Sequence, residues 1–120
     1  MPQQELMYKV CERSLWESAV ADGVFHGAEI DLADGFIHFS AANQVVETVA
    51  KHFAGRPGLV LICVPTNSFG ETLRWEKSRN GDLFPHLYAP LETSKATRVD
   101  DLPLDENGEH RFPADLGLDA

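Results

Sequence analysis

SAANQVVETVAKHFAGRPGLVLICV (Ser40–Val64) places an amphipathic helix directly before a strand. Ala42, Val45, Val46, Val49, Ala50 and Phe53 recur at helical spacing, with Ser40 as N-cap and Gly55 as the stop. LVLICV (Leu59–Val64) is apolar at every position, so it predicts a strand covered on both faces.

Upstream, Asp34-Gly35 is a turn signal and FIHF (Phe36–Phe39) reads as a short strand. Residues 24–34, with His26 and several acids, read as an ordered loop. LMYKVC (Leu6–Cys11) predicts a first strand. Ser14 and Glu17 have the spacing of a capping box for a helix with Trp16, Ala19 and Val20 on its apolar face and Gly23 at its end.

Downstream, Pro65, Asn67 and Gly70 make a loop. TLRWEKS (Thr72–Ser78) alternates like a half-buried strand, and Asn80-Gly81-Asp82 turns the chain. LFPHLYAPL (Leu83–Leu91) is broken by Pro85 and Pro90, so it predicts an edge strand or an ordered loop. ATRVDDLPL (Ala96–Leu104) reads as a late strand, followed by an Asn107-Gly108 turn and HRFP (His110–Pro113) as a short returning strand. Interspersed elements with short connections favour an α+β fold with a mixed or antiparallel sheet and two main helices.

The 120 residues suit one domain, with a core over about 6–104 and an acidic tail over 105–120. Hydrophobic residues make up 43%, enough for a packed interior. No apolar run is long enough to span a membrane, and MPQQELMYKV lacks a signal-peptide pattern, so a cytoplasmic setting is expected. There Cys11 and Cys63, which form no CxxC pair, should remain thiols. The net charge is −9, of which residues 100–120 supply −6 and residues 1–99 only −3. Such a balance disfavours nucleic acid as a partner, since binding phosphate backbones needs clustered Lys and Arg. It leaves room for a small anionic ligand or nucleotide at a local basic patch.

Chemistry concentrates in GFIHFS (Gly35–Ser40) and FPHLY (Phe84–Tyr88). On a strand His38 shares a face with Phe36 and Ser40. A half-buried His beside aromatics is often a satisfied core residue, and N-capping accounts for Ser40. In FPHLY one proline and two aromatics, with Pro90 just beyond, stiffen a segment bearing His86 and Tyr88, a pattern that suits a site. Between the two segments, Arg74, Lys77 and Arg79 form a basic stretch that suits phosphate or carboxylate. Glu76 shares a face with Arg74, and Trp75 and Phe84 add apolar surface for a ligand. A metal shared by His38, His86 and Glu76 is a further reading, without an HxxxH, HExxH or cysteine cluster behind it.

These same segments resemble a bacterial and plant family, the domain of unknown function 952 family. The resemblance runs through Met7-Tyr8-Lys9, Trp16, GFIHFS, Gln44, LVLICV and RWEKS to DLFPHLYAPL, about residues 6–100. By fold that family is placed with the ADP-ribosyltransferase-like superfamily, whose members hold NAD in the cleft of a split β-sheet. The resemblance implies His38 on the NAD ribose, His86 or Tyr88 on the nicotinamide, Glu76 beside the developing positive charge, and Arg74 and Arg79 on phosphates. In better-known members the Glu follows the aromatic residue, whereas Glu76 precedes His86 and Tyr88. The RNA 2′-phosphotransferase branch uses two histidines, as here, but with a dense arginine set that this chain lacks.

Three readings follow: an enzyme acting at the ribose of an NAD-type nucleotide by ADP-ribosyl transfer or glycohydrolysis, a non-catalytic module binding a small anion or protein, and a metal-dependent hydrolase. NAD is a substrate in the first, and no resident cofactor is implied.

Overall fold

The chain switches sheets at Phe39, and that switch organises the molecule. A computed structural model describes residues 5–78 and 81–116. Its elements are β1 (Leu6–Glu12), α1 (Arg13–Asp22), β2 (Val24–Phe25), α2 (Glu29–Asp34), β3 (Ile37–His38), β4 (Ser40–Ala41), α3 (Val45–His52), β5 (Leu59–Pro65), β6 (Leu73–Lys77), β7 (Leu83–Leu87), β8 (Leu91–Glu92) and β9 (Arg98–Leu102). The fold is α+β, and its described strand pairings are antiparallel. The large sheet has the order β4-β1-β5-β9, the small one β3-β7-β6, and β2 pairs with β8. β3 therefore belongs to the small sheet and β4 to the large one, with buried Phe39 between them. β4 meets β1 only at Met7↔Ala41 and Tyr8↔Ser40. Beyond that point the two sheets part.

LVLICV lies in the middle of the large sheet, covered on both faces as its composition requires. Val60, Ile62 and Val64 join Met7, Cys11, Phe39 and Leu87 in one core cluster, while Leu59, Leu61 and Cys63 join Tyr8, Val45 and Val49 in the other. Cys11 and Cys63 thus lie on opposite faces as separate buried thiols.

Several local expectations are corrected. There are three α-helices rather than two main ones among the described residues, because 29–34, read as loop, forms α2. α1 begins at Arg13, whose N–H donates to Gly58 O at 2.8 Å, so Ser14 is inside the helix and caps nothing. Gly23 does end α1, in the left-handed conformation, but Val20 is exposed. Ser40 does not cap α3, because it is a buried strand residue whose hydroxyl donates to Thr48 Oγ1 at 3.2 Å. α3 starts after Gln44 and stops at His52, before Gly55.

LFPHL is a central strand despite Pro85. A strand residue's N and O point to the same side. Pro85 O accepts Phe39 N–H at 3.0 Å, so its missing donor faces the end of β3, where pairing stops, and not the longer ladder with β6. HRFP makes only an isolated bridge, Leu104↔His110, since His110 Nε2 is held by Arg56 O and Phe112 packs on the second core cluster. No helix among the described residues is long and apolar enough to cross a membrane.

Candidate functional site

β3 and β7 pair in the register His38↔His86, and β7 and β6 in the register Arg74↔His86. Residues opposite one another in a sheet share a face. One face of the small sheet therefore carries Phe36, His38, Phe84, His86, Tyr88, Arg74 and Glu76. The other carries Ile37, Leu73 and Leu87 against the core. Trp75, paired with Pro85, belongs to that second face, away from the histidines.

The rings of His38 and His86 are 5.4 Å apart, centroid to centroid. Phe36 stacks on His86 at 4.2 Å and lies 4.5 Å from His38 and 5.1 Å from Tyr88. Each imidazole has its own carboxylate. Asp31 Oδ1 is 2.6 Å from His38 Nδ1, and Glu76 Oε1 is 2.9 Å from His86 Nδ1. Glu76 Oε1 also accepts the Tyr88 hydroxyl at 2.7 Å. Hydrogen bonds from Tyr88 and His86 hold the Glu76 carboxyl below the usual range, and Glu76 in turn raises the Tyr88 phenol. Arg74 sits over the Tyr88 ring at 4.9 Å.

Asp31 is the residue that sequence reading missed. It is 1% exposed, on a helix that leaves Ile30 61% and Leu32 66% exposed. Helix α2 is thus turned with its acid inward. Asp31 Oδ1 also accepts His38 N–H at 3.0 Å, while Oδ2 accepts Ala28 N–H at 2.7 Å and meets Lys9 Nζ at 2.7 Å. Burial alone would raise this carboxyl. The His38 hydrogen bonds and the Lys9 charge outweigh it and bring the carboxyl to about 2. Burial pulls the Lys9 ammonium below its ordinary value, and Asp31 offsets that only in part. Gly27, at φ +116, makes room: a Cβ there would stand 2.7 Å from that of Asp31. Asp34 Oδ2 lies 3.0 Å from His38 Nε2, so both nitrogens of that ring face carboxylates. The one visible signal was Lys9 itself, a charge inside the apolar run LMYKVC.

Where the sheets part, a cleft of about 560 Å³ opens along the edge of β1. Lys9, His38, Phe84 and His86 line it, joined by residues of α3 and the loop after it. A volume in this range suits a small-molecule ligand. Cys11 also lines it, but burial pushes the thiol up to about 11, which leaves little thiolate at neutral pH. Arg79 falls outside the described residues. Among those described, no group of three His, Cys, Asp or Glu side chains is placed to share a metal ion.

The molecule is thus an antiparallel α+β domain with a histidine-lined cleft between two sheets. The chain belongs to the family described as Protein of unknown function (DUF952), whose model matches residues 10–99. It is similar to the crystal structure of protein CC0527 from Caulobacter crescentus, with 50% identity and a TM-score of 0.88 over 94% of this chain and 99% of that one. The solution NMR structure of CC0527 matches with 52% identity and a TM-score of 0.79, over 87% of this chain and 90% of that one. No curated protein matches the chain.

Proposed function

We propose that the cleft between the sheets binds a nucleotide of the NAD type and that the chain acts at its ribose, by ADP-ribosyl transfer or NAD glycohydrolysis. The observation that carries this reading is the His38↔His86 pair: two imidazoles in register, each oriented by a carboxylate, both lining one cleft. The cleft between two sheets joined at Phe39 supports this reading, since the family resemblance implies NAD held in the cleft of a split sheet. In this reading His38 holds the ribose hydroxyls, while Phe36, Tyr88 and Glu76, which share the histidine face but are not in the cleft lining, meet the part of the ligand that extends past His86. Glu76, ionised and fixed by His86 and Tyr88, faces the charge that develops on the ribose carbon. The bond from the nicotinamide nitrogen to that carbon breaks, and its electron pair leaves with nicotinamide. Water or an acceptor nucleophile then adds to the carbon and gives up a proton. A cytoplasmic setting, where NAD is available and thiols stay reduced, belongs to the same proposal.

A non-catalytic binding module is the second reading. It is favoured by how completely the polar groups are paired: Asp31 with Lys9 and His38, Glu76 with His86 and Tyr88. Release of nicotinamide from NAD by purified protein separates the two. The first reading expects release that Glu76→Gln abolishes while NAD binding persists. Binding without release by the wild type supports the second, and neither binding nor release contradicts the first.

A further inference from the structure

The basic group that reaches the cleft is not on β6. Arg74 stacks on Tyr88 and is absent from the cleft lining, whereas Arg56, in the loop after α3, lines it together with Thr48 and His52. We infer that Arg56 is the phosphate-binding residue of this cleft, and that the ligand is a nucleotide whose phosphate lies at the far end of β1 while its ribose lies at His38 and His86. This rests on the reading of the cleft as a nucleotide site.

The charges of the cleft differ in what holds them. Lys9 is committed: its partner Asp31 is buried with it, at 2.7 Å, and neither faces solvent. A buried pair of this kind is not opened by a ligand without leaving a charge unpaired. Arg56 is held differently. Its guanidinium meets Glu12 at 3.1 Å, with both side chains about half exposed, at 48% and 60%. An exposed pair contributes little and exchanges readily. A phosphate offers the guanidinium more acceptors and more charge than the single Glu12 contact does. The guanidinium also lies over the Phe53 ring, 5.1 Å from its centroid, which fixes its plane.

The spacing fits one ligand. Lys9, which pairs with Asp31, and Glu12, which pairs with Arg56, are three residues apart on β1, ~10 Å along the strand and on opposite faces of it, so a ligand joining the two would pass around the open edge of β1. Acidic groups occupy the histidine end, where Asp31, Asp34 and Glu76 surround the imidazoles. That end suits uncharged hydroxyls better than phosphate. The polarity therefore sets the direction of the ligand: sugar toward β3 and β7, phosphate toward Arg56. Glu12 and Glu29 also line the cleft, so its positive character is confined to the Arg56 guanidinium, and a phosphate there takes the place of Glu12.

The test is an NMR titration of the full chain with adenosine 5′-monophosphate and with adenosine, reading the imidazole resonances of His38 and His86. Wild type should bind the monophosphate at least 10-fold more tightly than adenosine. Arg56→Ala should reduce that ratio to about 1–2 while leaving adenosine binding unchanged. Lys51→Ala removes the same charge from α3 outside the cleft and should leave the ratio intact; retained spectral dispersion establishes that each variant is folded. If both compounds perturb His38 and His86 but Arg56→Ala keeps the ratio, the assignment of Arg56 is overturned and the cleft stands. If neither compound, at millimolar concentration, perturbs either histidine, the nucleotide reading of the cleft fails and this inference with it.

Discussion

Asp31 decides how His38 is presented. It is the buried acceptor for the His38 ring and amide, for Ala28 N–H and for Lys9. Asp31→Asn keeps the shape but leaves the Lys9 ammonium buried and unpaired, so it should destabilise the protein by about 3–5 kcal/mol in urea unfolding. The same residue sets an acid limit. Its folded pKa of about 2 lies below the ordinary 3.8. A depressed carboxylate stabilises the fold above its unfolded pKa and loses that contribution as pH falls through the folded one. Between about pH 4 and pH 2 the wild type should therefore lose about 2 kcal/mol from this group. The gap in urea midpoint between wild type and Asp31→Asn should narrow over that window; a gap that stays constant down to pH 2 would show that Asp31 is not held this way. At this scale the sequence was only half legible. His38 and His86 stand out because a histidine among aromatics is conspicuous. The Lys9–Asp31 pair spans 22 positions, and nothing local in an acid-rich stretch marks which acid turns inward.

At the scale of elements, the legible parts were those whose pattern reports burial directly. LVLICV is legible as a strand covered on both faces because each of its positions is apolar, and the two core clusters on either side of it are the reason. Helix α2 was missed for the converse reason. EIDLAD is held by the buried contacts of an acid and displays Ile30 and Leu32, so its pattern reports no apolar core face. FPHLY misled through Pro85, which a central strand tolerates here only because β3 stops beside it. GFIHFS holds two strand ends belonging to different sheets, with Phe39 as the buried residue between them. Phe39→Ala should cost about 3–5 kcal/mol. It should also shift the amide resonances of both β1 and β7. Shifts confined to one sheet would mean that Phe39 is not the joint between them.

For the whole molecule, the −9 charge is unevenly spread, and part of the C-terminal acidity is structural. Arg98 bonds both Asp100 and Asp115, and Phe112 and Leu116 pack on the second core cluster. The C-terminal segment up to residue 116 thus closes one side of the large sheet, and the cleft opens beside β1. An α+β fold with antiparallel pairing was legible from short connections between alternating elements. The parting of the sheets is implied only by the family resemblance and not by the local pattern, because it depends on β4 pairing with β1 for two residues and no more. That parting brings His38 and His86 to one opening, and the functional proposal depends on it. The most direct test follows the imidazole resonances of His38 and His86 in the intact protein during titration with NAD. Saturable shifts of both histidines, retained in Glu76→Gln and lost for His38 in Asp31→Asn, are the expected result. Shifts of neither at millimolar NAD, or of surface residues alone, would contradict a nucleotide site between the sheets.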